Sequence, residues 1–122
     1  MRTLLSAKLH RGTITGCNLD YEGSCGIGPD LLAASGIVPF EKISVLNVST
    51  GGRLETYAIR GQTDAEISLN GAAARHAAPG DKVIILAFVL VPEDRVLQHQ
   101  ARIVLLGEGN TIVSCATKSV AD

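Results

Sequence analysis

The sequence predicts a mainly β chain, a small β-rich barrel with short helical connections. Three observations point there. Apolar positions fall in short runs rich in β-branched residues, Gly-rich turn chemistry separates those runs, and only two stretches carry helix signals. A length of 122 residues fits one domain, and no repeat, linker or composition break divides it.

Thr3–Leu9 and His10–Thr15 mix β-branched and polar residues and read as two strands. Pro29-Asp30-Leu31-Leu32-Ala33-Ala34-Ser35 reads as a helix, with Pro at its first position and Gly36 at its end. Ile43–Val48 alternates, Ser49-Thr50-Gly51-Gly52 turns, and Arg53–Ile59 returns as the second arm of a hairpin. Ala65–Leu69 is another short strand, and Ala72–Ala77 can form one or two helical turns before Pro79-Gly80. Lys82–Val91 is almost wholly apolar and reads as a strand buried on both faces. Ile103–Leu106 and Thr111–Cys115 flank Gly107-Glu108-Gly109-Asn110 as a second hairpin, and Lys118–Asp122 reads as a loose tail.

Composition excludes several functions. Eleven basic against twelve acidic residues give no global attraction to nucleic acid or anionic lipid. Aromatics are 3%, too few for a base-stacking platform. The longest apolar run is far short of the ~20 residues that span a bilayer. Cys17, Cys25 and Cys115 are odd in number and widely spaced, which fits neither a zinc site nor a disulfide framework and points to a reducing cytoplasm. The N-terminus has no apolar core of the signal-peptide kind. No phosphate-binding glycine loop is present, and Gly26-x-Gly28 lacks the third glycine of a dinucleotide fingerprint.

Gly23-Ser24 is the most suggestive pair. Glycine leaves its carbonyl open to attack and tolerates strained angles. A serine hydroxyl held against that carbonyl can displace the peptide nitrogen and form an ester. β-Elimination then leaves a dehydroalanine, which hydrolyses to a pyruvoyl group. For a Gly-Ser pair alone, a plain turn is the default reading.

The surrounding residues carry more. Lys8-Leu9-His10-Arg11, Leu19-Asp20-Tyr21-Glu22-Gly23-Ser24, Arg53-Leu54-Glu55-Thr56-Tyr57-Ala58-Ile59 and Asn70-Gly71-Ala72-Ala73-Ala74 occur in an order and spacing that resemble the pyruvoyl-dependent aspartate 1-decarboxylases. The resemblance runs from about Arg2 to Phe88 and fades after Pro92. It implies a six-stranded double-psi β-barrel, usually a homotetramer with active sites between neighbouring subunits. It implies self-cleavage of the 1–122 domain between Gly23 and Ser24, giving fragments 1–23 and 24–122, the latter capped by a pyruvoyl derived from Ser24. No metal is implied. Some family members need a helper protein to mature.

The implied reaction converts L-aspartate to β-alanine and CO2 for pantothenate synthesis. The pyruvoyl forms a Schiff base with the substrate amine and accepts the electron pair as CO2 leaves, a task side chains perform poorly. By the same resemblance Tyr57 donates the proton that follows, and a tyrosine phenol is ordinarily protonated at neutral pH, as a general acid requires. Arg53 holds the remaining carboxylate with its planar fork, and Lys8 adds positive charge. Thr56, Gly71, Ala72 and Ala73 contact substrate. The last three match a tight turn entering a helix, where free N–H groups suit a carboxylate. Asn70, His10 and Tyr21 support the pyruvoyl region. Thr56 and Tyr57 are adjacent, so a regular strand would point them to opposite sides.

Two features depart from the family pattern. Leu46 stands where some members carry Trp, which alters the pocket wall. Cys25 follows the processing serine and is read as packing. Gln98–Asp122 is assigned no site. Two rival readings remain open: an unprocessed β-barrel assembly module without catalysis, and a decarboxylase of another small acidic amino acid.

Overall fold

β1 (Arg2–Thr13) is one strand of 12 residues where the sequence suggested two. It pairs antiparallel with β7 (Lys82–Val91) and parallel with β8 (Gln100–Leu106). One extra β1 residue is absorbed between Leu5 and Ala7, and another between Leu9 and Gly12, where Arg11 takes a φ of 63°. These bulges bend the strand without ending it, so the break expected at His10 does not form. The computed structural model describes the whole chain, Met1–Asp122.

The remaining strands are β2 (Gly16–Asn18), β3 (Ser24–Ile27), β4 (Lys42–Asn47), β5 (Arg53–Arg60), β6 (Ile67–Asn70) and β9 (Ile112–Ser119), and the order across the sheet is β2-β6-β3-β5-β4-β7-β1-β8-β9. The chain is mostly β with few short helices, as the sequence indicated, and its curved sheet is consistent with a small barrel. Nine strands pair, more than the six expected of the barrel itself. The short β2 and β3 both find partners, and β9 lies on an edge.

Ala7, Leu9, Ile43, Val45, Ile67, Leu69, Val83, Ile85 and Val104 supply the buried inner row, in the alternation that a one-sided strand requires. β7 departs from expectation. Val83, Ile85 and Ala87 are buried, whereas Phe88, Val89 and Leu90 are exposed. Phe88 and Leu90 lie on the face opposite Val83, Ile85 and Ala87, and Val89 is exposed on theirs, so the apolar end of this strand leaves hydrophobic surface uncovered.

α1 (Pro29–Ser35) begins with Pro and stops at Gly36, whose φ of 78° suits glycine. The helix expected over Ala72–Ala77 is a 3-10 turn, Gly71–His76, the tighter form common in short connectors. The β4–β5 and β8–β9 hairpins form as expected. The tail is more ordered than its composition suggested. Ser119 donates to the Asp122 carboxylate from both its N–H (2.8 Å) and its hydroxyl (3.1 Å).

Asn110 ties three segments together. Its amide donates to Thr13 O (2.9 Å) and Ala65 O (2.8 Å), and its oxygen accepts from the Thr13 N–H (2.7 Å), all while 3% exposed. Asn110→Ala leaves these backbone groups unpaired and is expected to lower stability by about 2–4 kcal/mol, read from the urea unfolding midpoint.

Candidate functional site

The site starts from the pairing of β3 with β6. Ser24 lies directly opposite Asn70, and Gly26 opposite Ser68. Residues opposite one another share a face, so the Ser24 and Asn70 side chains meet. The Asn70 Nδ2 donates to Ser24 Oγ at 3.0 Å, and the Ser24 hydroxyl donates to the Glu22 carbonyl at 3.2 Å. Ser24 is 1% exposed, while Gly23 before it is exposed. The Gly23–Ser24 peptide therefore passes from solvent into the protein. No ionisable side chain hydrogen-bonds Ser24 Oγ.

Gly71 holds the other side of this loop. Its φ is 63°, and a Cβ there would stand 2.6 Å from Gly23 N, 2.7 Å from Gly23 Cα and 2.8 Å from Tyr21 O. Only glycine allows the 71–76 turn to press so closely on the backbone of 21–23. The Tyr21 side chain itself is exposed. Ala73 is buried and Ala72 exposed within the same turn.

β5 brings the next residues. It runs parallel to β3 with Cys25 beside Ala58 and Gly26 beside Ile59. Extending that register by one places Tyr57 alongside Ser24, one strand away (about 4.8 Å) and on the same side. Thr56 faces the other way, opposite the buried Ile43, as strand alternation foretold. The structure thus joins Gly23, Ser24, Asn70, Gly71 and Tyr57, and leaves Thr56 on the inner face.

Lys8, His10 and Arg53 are not brought to Ser24 within one chain. Arg53 lies four residues from Tyr57, about 13 Å of strand. β4 and β7 separate β5 from the β1 strand of Lys8 and His10, so Lys8 lies about 14 Å across the sheet. Neither Lys8 nor Arg53 pairs with a carboxylate; the two ion pairs are Arg2–Glu93 and Lys42–Glu55. Leu46 lies opposite Arg53, and both line a shallow hollow with Ile84. His10 Nδ1 is buried without a partner, and burial followed by the charges of Lys8 and Arg11 holds its pKa below the usual histidine value.

Cys25 packs as expected. Burial, reinforced by Glu66, pushes its thiol up to about 12, so it holds its proton and is a poor nucleophile. All three cysteines are free. No cluster of three or more His, Cys, Asp or Glu side chains could hold a metal, and no helix is long and apolar enough to cross a membrane.

One neighbour of the site escaped the sequence reading. The Phe40 ring lies 6.2 Å from that of Tyr57, tilted by 46°. The available signal was Val38-Pro39-Phe40-Glu41, a turn with Pro at its second position.

Comparison with known proteins converges on one group. Residues 1–113 match the family model described as aspartate decarboxylase, so the likeness continues past Pro92, where it was expected to fade. The aspartate 1-decarboxylase of Ralstonia nicotianae is 53% identical over 112 residues, covering 91% of this chain and 93% of that one. That of Hyphomonas neptunium is 52% identical over 111 residues, 90% and 94% of the two chains. That of Carboxydothermus hydrogenoformans is 48% identical over 119 residues, 97% and 94% respectively.

The contact between Gly71 and the 21–23 backbone sets a test. Gly71→Ala adds left-handed strain to a steric clash and is expected to lower stability by more than about 2 kcal/mol. It should also open the chain at Tyr21–Gly23 to limited proteolysis, read by mass spectrometry of the fragments.

Proposed function

The chain belongs to the aspartate decarboxylase family, and from that premise we propose that it cleaves itself between Gly23 and Ser24 and then decarboxylates L-aspartate to β-alanine and CO2, for pantothenate and coenzyme A synthesis. The observation that carries this reading is the buried Ser24 hydroxyl, held by Asn70 beside a scissile glycine that Gly71 presses into place.

Attack by Ser24 Oγ on the Gly23 carbonyl carbon forms a C–O bond and breaks the C–N bond, and the hydroxyl proton passes to the freed amine. The resulting ester loses the proton on the Ser24 Cα and expels the Gly23 carboxylate. Water then removes the nitrogen as ammonia. No titratable base touches Ser24 Oγ, so orientation rather than deprotonation drives the first step. This favours slow maturation, or maturation assisted by a second protein.

The surroundings suit the pyruvoyl group that results. The Asn70 amide, which donates to the hydroxyl, can equally donate to a carbonyl oxygen. When present, the group supplies the electron sink that aspartate needs as its α-carboxylate departs. Tyr57, beside Ser24 on the same face, donates the proton to the carbon that lost CO2. Arg53 binds the carboxylate that stays, Lys8 strengthens the positive field around it, and Leu46 shapes the wall next to Arg53. Gly71, Ala72 and Ala73 line the approach, with Tyr21 in support; His10 goes with Lys8 on β1, and Thr56, whose side chain turns to the inner face, takes no part.

Arg53 and Lys8 lie too far from Ser24 to serve the same site within one chain. We therefore assign them to the site of a neighbouring copy in a homotetramer, built on a double-psi barrel. The exposed strip Phe88, Val89 and Leu90 favours association. The cytoplasm is the compartment this reading implies.

Intact mass under denaturing conditions tests maturation. Two fragments meeting at Gly23/Ser24 are expected, and a single full-length chain after long incubation would sink spontaneous cleavage. Ser24→Ala should stay whole and inactive. Tyr57→Phe should still cleave but turn over aspartate at least about a hundredfold more slowly, since a general acid commonly contributes that much; normal turnover would remove Tyr57 as the donor. Arg53→Ala should raise KM for aspartate by about tenfold or more, in line with a lost charge-assisted pair.

A further inference from the structure

We propose that Phe40 is a positioning residue for Tyr57, its ring holding the phenol in place for proton donation. The inference rests on the reading of Tyr57 as the donor and goes beyond it. Val38-Pro39-Phe40-Glu41 forms a turn closed by the Glu41 N–H on Val38 O at 3.1 Å. Pro39 occupies its second position and Phe40, with a φ of 75°, its third. That combination is a type II turn, whose third position calls for Gly or Asn. A bulky aromatic there is a conformational outlier.

Burial does not explain it, because Phe40 is 80% exposed. The backbone does locate it. The Phe40 N–H donates to Ala58 O at 2.7 Å, and the Ala58 N–H donates to Glu41 O at 3.0 Å. The turn is thus clamped to the residue that follows Tyr57, and the Glu41 carboxylate accepts from the Val38 N–H at 3.1 Å. The ring so delivered meets the ring of Tyr57, centroids 6.2 Å apart and tilted. This lies in the range of favourable aromatic pairs. A half-buried tyrosine on an outer strand face can otherwise turn toward water; the Phe40 ring closes that side.

The test uses the matured enzyme labelled with 3-fluorotyrosine, which carries two signals, from Tyr21 and Tyr57. Phe40→Leu should move the Tyr57 signal and leave that of Tyr21. It should lower kcat about three- to tenfold, the range an aromatic pair supplies, with KM changed by less than about twofold. Phe40→Tyr should restore kcat. Phe40→Gly, which suits the turn, should melt no lower than the parent yet show the same loss of kcat. In a Tyr57→Phe background, Phe40→Leu should add no further loss.

Parental kcat in Phe40→Leu, an unmoved Tyr57 signal, or a loss that adds in full on top of Tyr57→Phe would each overturn the proposal. So would a change confined to oligomer mass, which would make the ring a subunit contact only. Near-normal turnover in Tyr57→Phe would remove the donor reading and this one with it. A large loss there, with normal turnover in Phe40→Leu, would remove this one alone.

Discussion

The register of β3 against β6 is the constraint on which the candidate site depends. It sets Ser24 opposite Asn70 and so gives a buried hydroxyl its hydrogen-bond donor. A slip by one residue would turn Ser24 to the other face and leave two buried polar groups unpaired. The inner residues of the same strands, Cys25, Ile27, Ile67 and Leu69, are fully buried and oppose any slip. Gly71 follows at once and lets the next turn lie against Gly23. Packing inside the barrel and chemistry at its edge are therefore fixed by one alignment.

The same alignment spreads the candidate residues of the proposed pocket across the sheet. Ser24, Asn70 and Tyr57 fall in a row across β6, β3 and β5. The unpaired cations Lys8 and Arg53 lie on the same sheet but beyond the reach of one small amino acid. Ser24 and Asn70 are buried there, whereas Arg53 stands exposed. Bringing a second copy against this sheet would turn the row into a cleft and cover the apolar strip of β7. In the proposed tetramer, the site's polarity and the strip's hydrophobicity would share a cause in assembly.

How legible this was in the sequence varied with the range of the interaction. Local chemistry was legible: Pro29 and Gly36 bound the helix, Gly51-Gly52 and Gly107–Asn110 turn the hairpins, and strand alternation separates Thr56 from Tyr57. The Gly23-Ser24 proposal rests on four separate motifs read together. Long-range pairing was not legible. Continuity of β1 depends on bulges against β7, β2 is a strand because β6 lies beside it, and β3 because it lies between β6 and β5. The outer face of β7 looked buried because its sequence is apolar, yet composition cannot tell a core from an uncovered surface. Phe40 was missed because its partner lies on another strand.

Strand parity also separates the two candidate nucleophiles of β3. A thiol is intrinsically more nucleophilic than an alcohol, and Cys25 adjoins Ser24. Successive residues of β3 point to opposite faces, so Cys25 enters the core, where burial and Glu66 keep its thiol protonated. Ser24 faces the Glu22–Gly23 loop, and in the proposed cleavage its reactivity would depend on placement rather than on ionisation. An alcohol needs that placement, since no base is at hand to activate it. In the proposed cleavage, the fold would suppress the stronger nucleophile by where it points and leave the hydroxyl beside Gly23 as the group that acts.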